Sequence, residues 1–488
     1  MARFKIAVYG FGSQPIVYRY LIDIARKENL PLAWCAILTT PHYRSLMAEV
    51  LPSKEVFDVY RDLPRSPSPS DLECLACYSG SLLEDLAAQK RMRRKRSGRW
   101  LLRRGLDYYR LYKEFLIERA ATHILMSSIE TPDAKIAIAV AQELGLGVIA
   151  PVDLRNMTGT YFSTDCYETP PSYAVANPET VALATEFVRR FRADPLPARG
   201  LPAELGAEDG DVILPACIPS LPRRAYSFIA NAMARPDIFD HEEVRVAVMR
   251  NSPFLRSTVR GLRYWRNIGQ YDIADIGGLP ERFAFYPLQY SPESSINTPA
   301  PYFVDQIRAI DVIRFAMPSD HWLVVKEHPA CVEMRLPVFM RHLRRTPGVI
   351  VMKSTVSSIE LIKKAAVTIT VSGTAAFEAF LLGRPSLGLG RGLSTWITGK
   401  TVTDADLRSR VVQSIQNPPS DRYIVEQVAR LMSARYPFLF TSPNLPGEPM
   451  LRLKNLRRFV SALYDHLQRE HAQRNVTPAR DTQPTATH

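Results

Sequence analysis

The sequence predicts an α/β protein of two Rossmann-like domains with a cleft between them and a helical insertion in the first. Three observations lead there. Strand-like runs alternate with helical runs in two separate stretches of the chain, and an irregular, proline-rich stretch divides them. With 488 residues, the chain is long enough for two domains of about 200 residues each. Strands joined by helices need crossover connections, so both sheets are expected to be parallel and doubly wound.

Phe4 to Tyr9 is β-rich and runs into Gly10-Phe11-Gly12-Ser13, followed by a helical stretch to Lys27 and an apolar run from Leu32 to Leu38. The glycine pair lacks the third glycine of a dinucleotide fingerprint. No acid closes the second run to hold a ribose, which argues against a nicotinamide cofactor. Pro64 to Pro69 is a turn cluster, and residues 82–119 read as an inserted helical arm. Thr122 to Ser127 then reads as a strand, Pro132 to Leu144 as a helix with proline in its first turn, and Gly147 to Ala150 as a strand. Residues 1–195 are thus expected to form the N-terminal, acceptor-side domain, and 196–278 a linker with helical patches.

The second alternation is cleaner. Phe283 to Pro287, Trp322 to Val325, Val349 to Met352, Val367 to Val371 and Ser386 to Leu389 read as strands. Helical spacing links Phe303, Ile307, Ile310, Ile313 and Met317, and Ser357 with Glu360 forms a capping-box pair. Helices at Tyr423 to Ala434 and Leu453 to Gln468 complete a C-terminal domain over 279–470, and a polar, disordered tail is expected over 471–488.

Composition limits the function. The chain is 46% apolar and 23% charged, which excludes disordered, collagen-like and disulfide-scaffold classes. The formal net charge is +13, and Lys90 to Arg104 contributes nine basic residues and no acid. Six thinly spread cysteines fit a reducing compartment. Cys74 and Cys77 form one C-x-x-C without the second pair or nearby histidine a zinc site needs. The N-terminus lacks the long apolar stretch of a signal peptide, and no run of eighteen apolar residues occurs. The expectation is a cytoplasmic protein, peripheral at the inner face of the plasma membrane.

Ligands of open parallel sheets bind beyond the carboxyl ends of the strands, so the residues following each strand are the ones to read. In the second half these are Gln289 to Glu293, Lys326-Glu327-His328-Pro329, and Ser372-Gly373-Thr374 with Glu378 one helical turn on. Lys326 and His328, two apart in extended chain, point the same way and can share an anion. A bland alternative is a Lys-Glu ion pair before a proline turn. Ser372-Gly373-Thr374 offers backbone N–H groups, hydroxyls and a helix start, suited to a phosphate, or else to an ordinary N-cap. Glu378 accepts ribose hydroxyls or complements the helix dipole.

Phe285-Tyr286-Pro287-Leu288-Gln289-Tyr290-Ser291-Pro292-Glu293, Lys326-Glu327-His328-Pro329, and Ser372 to Ala379 with Gly383-Arg384-Pro385 together resemble the capsule polysaccharide biosynthesis family. Its members include Kdo transferases that use CMP-activated sugar. The resemblance covers residues 280 to 392 and implies a two-domain GT-B glycosyltransferase fold. It also implies that Lys326, His328, Pro329, Ser372, Gly373 and Thr374 hold the donor phosphate, with Gln289, Glu293 and Glu378 near the nucleotide or sugar. The single phosphodiester of a CMP-sugar needs neither a bound metal nor another cofactor, since Lys326, His328 and a helix N-terminus neutralise its departing charge. Asp209-Gly210-Asp211 is read as a solvated loop and not as a metal motif.

Glycosyl transfer also needs a carboxylate near the anomeric carbon. Pro151 to Gly159 looks like a degenerate acidic segment of related CMP-sugar transferases, which makes Asp153 the first candidate, with Glu130 and Asp165 as rivals and Arg155 as a ligand for a sugar carboxylate. The expected partners are a nucleotide-sugar donor, a glycan or glycolipid acceptor, and an anionic membrane surface at the 90–104 run. Leu102, Leu106, Tyr109, Tyr112 and Leu116 recur at helical spacing beyond that run, as in a membrane-surface helix or in a core helix behind a solvated charge run. A nucleic-acid partner is not expected, since no recognised motif accompanies the charge. The alternatives are a UDP-sugar transferase or epimerase on the same architecture, and a non-catalytic assembly or export partner.

Overall fold

The computed structural model describes residues 4–40, 43–68, 97–127, 132–165, 167–195, 212–215, 235, 253–272, 275–289, 300–328, 331, 335–398, 406–440 and 449–476. The first sheet contains β1 (Phe4–Gly10), β2 (Leu32–Leu38), β3 (Val56–Asp58), β4 (His123–Leu125), β5 (Gly147–Asp153) and β6 (Thr160–Ser163), in the order β3-β2-β1-β4-β5-β6. The first five run parallel, and β6 returns antiparallel along β5. Alternate residues of the near-continuous apolar strands feed two cores. Ile6, Val8, Ala36 and Leu38 lie under α1 (Gln14–Lys27), while Ala7, Tyr9, Cys35 and Ile37 lie under α2 (Gly98–Glu118) and α3 (Pro132–Glu143). Each large side chain so buried stabilises by about 1.5–3 kcal/mol.

Two expectations are refined here. Residues 82–96 of the expected arm lie outside the described residues, and the part that is described, helix α2, packs on the first sheet, with Leu101, Tyr109, Tyr112, Phe115 and Leu116 buried in its core. Its apolar stripe is covered by its own domain. Its Arg104 is also buried, donating to the carbonyls of Pro64 at 2.7 Å and Arg65 at 2.9 Å, with Asp107 at 3.5 Å. Residues 90–96 of the basic run lie outside the described residues, as do Glu130, Glu293, Pro329, Asp209 to Asp211 and Cys74 with Cys77.

The domain boundaries also shift. Helix α4 (Pro178–Ala193) belongs by sequence to the first half, yet Ala184, Val188 and Phe191 pack in one apolar cluster with Phe377, Phe380, Ile424 and Val428 of the second. The C-terminal segment does the reverse. Phe438, Phe440, Leu456, Phe459 and Leu463 join the core of the first sheet, and Thr160 donates through Oγ1 to the carbonyl of Phe438 at 2.7 Å. The final helix extends to Val476, so residues 471–476 of the expected tail are helical.

The second sheet orders β7 (Phe283–Pro287), β8 (Trp322–Lys326), β9 (Val349–Met352), β10 (Val367–Thr370) and β11 (Ser386–Gly388) as β11-β10-β7-β8-β9, all parallel. Around it stand α5 (Pro253–Ile268), α6 (Gln306–Ala316), α7 (Pro337–Arg345), α8 (Ser358–Lys364), α9 (Ala375–Leu381), α10 (Leu393–Thr398), α11 (Leu407–Gln416) and α12 (Asp421–Ser433), before α13 (Leu453–Val476) returns to the first domain. Ser357 accepts from the Glu360 N–H at 3.4 Å, while the Glu360 carboxylate pairs with Lys363 at 2.9 Å, so the serine half of the expected capping box forms. Two Rossmann-like sheets with helices on both faces are therefore present, as expected. Among the described residues, no helix is long and apolar enough to cross a membrane.

Candidate functional site

In a doubly wound sheet the crevice for a ligand opens where the strand order reverses. In the second sheet that point lies between β7 and β10, flanked by β8. Gln289 follows β7, and Ser372 and Gly373 follow β10. Gln289 and Gly373 meet at Thr370. Gln289 Nε2 donates to Thr370 Oγ1 at 2.8 Å, and the Gly373 N–H donates to the same oxygen at 3.0 Å. A Cβ added to Gly373 would stand 2.7 Å from Thr370 Oγ1 and 3.1 Å from Gln289 Nε2, so only glycine lets the turn lie this close. The Gln289 backbone is fixed as well. Its N–H donates to Gln306 Oε1 at 3.2 Å, and its carbonyl accepts from Arg335 Nη2 at 2.5 Å.

Lys326 ends β8 beside Pro287, on the same carboxyl edge. Alternation sends its side chain to the face bearing Val324 and Ile359, where buried Nζ donates to Ser358 Oγ at 2.9 Å. Glu327 points the opposite way and is fully buried against Arg335 Nε at 3.0 Å. His328 keeps solvent access. Partial burial lowers its pKa, Glu327 opposes the shift, and nearby Lys326 and Arg335 add to it. The charged form of the imidazole is disfavoured in the free protein. The expected pair of cations is thus a buried lysine held by Ser358 and a histidine whose charged form an arriving anion would favour.

Thr374 takes the cap position of α9 with no side-chain cap bond, so the ordinary N-cap explanation does not hold for it. Glu378 is 4% exposed, inside the helix layer between Ala375 and Ala379 on one side and Phe377 and Phe380 on the other. It stands one turn into α9, in the position from which a ribose contact or a complement to the helix dipole was expected. Thr370, Arg335, Gln306 and Ser358 were not singled out from sequence. Thr370 lies within an apolar strand, and the others stand well beyond the strand ends.

The first domain supplies the remaining candidates. Asp153, the last residue of β5, is accessible to solvent yet surrounded by protein, as in a recess. This surrounding raises its carboxyl pKa, against the Arg155 N–H that donates to Oδ1 at 3.1 Å. Arg155 is no free ligand for a sugar carboxylate: its guanidinium is paired with Glu168. Glu168 in turn accepts through Oε2 from the Leu393 N–H at 2.7 Å, and its carbonyl accepts from the Tyr161 hydroxyl at 2.5 Å. Arg155 and Glu168 both adopt left-handed backbone, at φ 58° and 63°, each costing about 1–2 kcal/mol that the surrounding bonds must offset. Leu393 follows β11, on the carboxyl edge of the second sheet, and Leu154, Met157 and Tyr161 pack with Phe377, Leu393 and Ile397. Asp153, Arg155, Glu168 and Leu393 therefore form a continuous link between the two domains at the edge carrying the crevice.

Asp165 is different. Its carboxylate accepts from Ser163 Oγ at 3.0 Å, the Tyr167 N–H at 2.9 Å, and Thr169 N–H and Oγ1 at 3.3 and 2.6 Å. It organises a loop and has little capacity left for chemistry. Among the described residues no cluster of histidine, cysteine and carboxylate side chains is arranged to hold a metal ion.

The chain is similar to several known proteins. The beta Kdo 2,4 transferase of Thermosulfurimonas dismutans is similar to the chain at 12% identity, over 63% of this chain and 87% of that one, with a TM-score of 0.31. The UDP-GlcNAc 2-epimerase of Methanocaldococcus jannaschii matches at 11% identity over 88% and 99%, with a TM-score of 0.23. That of Neisseria meningitidis bound to UDP-GlcNAc matches at 13% over 94% and 99%, with a TM-score of 0.22. Scores this low add nothing to the architecture read from the two sheets. No curated protein matches the chain. Residues 259–426, which carry Gln289, Lys326, His328 and the Ser372 to Glu378 turn, match the model of the capsule polysaccharide biosynthesis protein family, and the resemblance read from those motifs is borne out over this segment.

Proposed function

We propose that the protein is a glycosyltransferase of surface polysaccharide assembly that takes a nucleotide-activated sugar, CMP-Kdo or a related acidic sugar, in the crevice between β7 and β10. The observation that carries this reading is the convergence of Gln289, Thr370 and Gly373 at the strand-order reversal, with Lys326 on the next strand. Lys326 supplies a positive charge for the departing phosphate from the carboxyl end of β8, and the Ser372-Gly373 turn follows β10 on the same edge of the sheet. Each charge-assisted hydrogen bond contributes about 1.5–3 kcal/mol. The charged form of His328 is favoured as negative charge develops, which stabilises the leaving group. Asp153 ends β5 in the segment that Arg155 and Glu168 tie to Leu393 of the second domain. Its raised pKa suits a general base that accepts the acceptor hydroxyl proton. The acceptor is a glycan or a glycolipid.

Calorimetry with CMP and UDP tests this. CMP binding that His328→Ala weakens, together with Asp153→Asn that keeps CMP affinity and loses transfer, supports the assignment. Preference for UDP moves the protein to UDP-sugar chemistry, and no nucleotide binding makes it a non-catalytic partner in assembly.

A further inference from the structure

Helix α5 has a composition at odds with a solvent-facing surface. Together with α7, against which it packs, it carries seven arginines (256, 260, 263, 266, 341, 344 and 345) and neither helix has an aspartate or glutamate. Large apolar groups stand out between these charges. Trp265 is 74% exposed and Leu262 64%, and Leu336 and Val338 at the start of α7 are 56% and 60%. Among the described residues, Asp272 lies 3.2 Å from Arg344 and Asp311 3.7 Å from His342. Asn267 fixes the orientation: it is fully buried and donates through Nδ2 to the Arg335 carbonyl at 3.0 Å, which turns Leu262 and Trp265 on the opposite side of the helix outward.

We infer that α5, with the adjoining start of α7, is a docking surface for an anionic phospholipid bilayer. Tryptophan and leucine enter the headgroup boundary and the flanking arginines meet the lipid phosphates. Such a surface matches the chemistry of a negatively charged interface on both counts, apolar and cationic, whereas a nucleic acid would use the charge and leave Leu262, Leu336 and Val338 unanswered. The location is also specific. Arg335, whose carbonyl anchors Asn267, donates to the Gln289 carbonyl, so the patch lies one residue away from the crevice edge. Docked there, the protein holds its second domain against the membrane, whichever nucleotide it uses.

The test is sedimentation of the full chain with phosphatidylcholine vesicles, with and without phosphatidylglycerol. Binding is expected only with the anionic lipid, accompanied by a blue shift in fluorescence that Trp265→Phe removes. Replacing Arg263 and Arg266 by alanine should weaken partitioning about 30-fold, at about 1 kcal/mol per arginine. Leu262→Ala with Trp265→Ala should also release the protein, with CMP affinity and thermal midpoint unchanged in both variants. Equal binding to neutral vesicles overturns the inference, as do variants that bind like the parent. Loss of binding on neutralising residues 90–96 alone overturns it too, and so does salt-sensitive binding of an oligonucleotide without any binding of vesicles.

Discussion

Gly373→Ala is the sharpest probe of the crevice. The new methyl would approach Thr370 Oγ1 to 2.7 Å and the Gln289 amide to 3.1 and 3.3 Å, so either the turn moves off β10 or Gln289 is displaced. Overpacking of this kind costs about 1–3 kcal/mol. Displacing Gln289 also breaks its bond to Thr370, at about 1 kcal/mol net. Because the crowded atoms belong to the nucleotide crevice, the same displacement should weaken CMP binding by about 10- to 100-fold, equivalent to about 1.4–2.8 kcal/mol. Thr370→Ala removes the nearest crowding atom, so the two substitutions should combine to less than the sum of their separate effects. Calorimetry with CMP and urea unfolding of the four proteins in this cycle measure both quantities. A Gly373→Ala protein with the parent's CMP affinity and stability, or strictly additive effects in the cycle, would refute the idea that this contact shapes the binding site.

Three further outcomes follow from the geometry. Arg335→Met leaves the buried Glu327 carboxylate unpaired and should cost about 3–5 kcal/mol in urea unfolding, with Glu327→Gln in the same chain recovering part of it. Because the His328 pKa is lowered in the free protein and a bound anion favours the imidazolium, CMP affinity should rise as pH falls below neutrality, with proton uptake visible as buffer-dependent heat; His328→Gln should flatten both. His466 is buried with its pKa lowered to about 4, chiefly by burial. Below the unfolded pKa near 6.5 the unfolded chain binds the extra proton, so stability should fall by roughly 3 kcal/mol as pH drops from about 6.5 to about 4. Unfolding free energies against pH should show this slope, and His466→Gln should remove it.

What the sequence made legible about the candidate site is position along a strand. Gln289, Lys326 and Ser372-Gly373 could be named because each follows a strand end, and parallel strands bring all carboxyl ends to one edge. Charge state was not legible in the same way. The lowered pKa of His328, the commitment of Arg155 to Glu168 and the consumption of Asp165 by four loop donors all depend on neighbours distant in space or on local turns that periodicity does not encode.

By itself the sequence determined the two α/β halves, because continuous apolar runs alternating with amphipathic ones have few other ways to bury both faces of a sheet. Only tertiary structure decided how the halves share elements. The apolar stripe of α2 is equally suited to a lipid surface and to a sheet, and packing onto Tyr9, Ile37 and Ile124 settled it. Likewise α4 and α13 are exchanged between domains because their apolar faces fit the other half's core, a choice set by shape and adjacency in space and not by order along the chain.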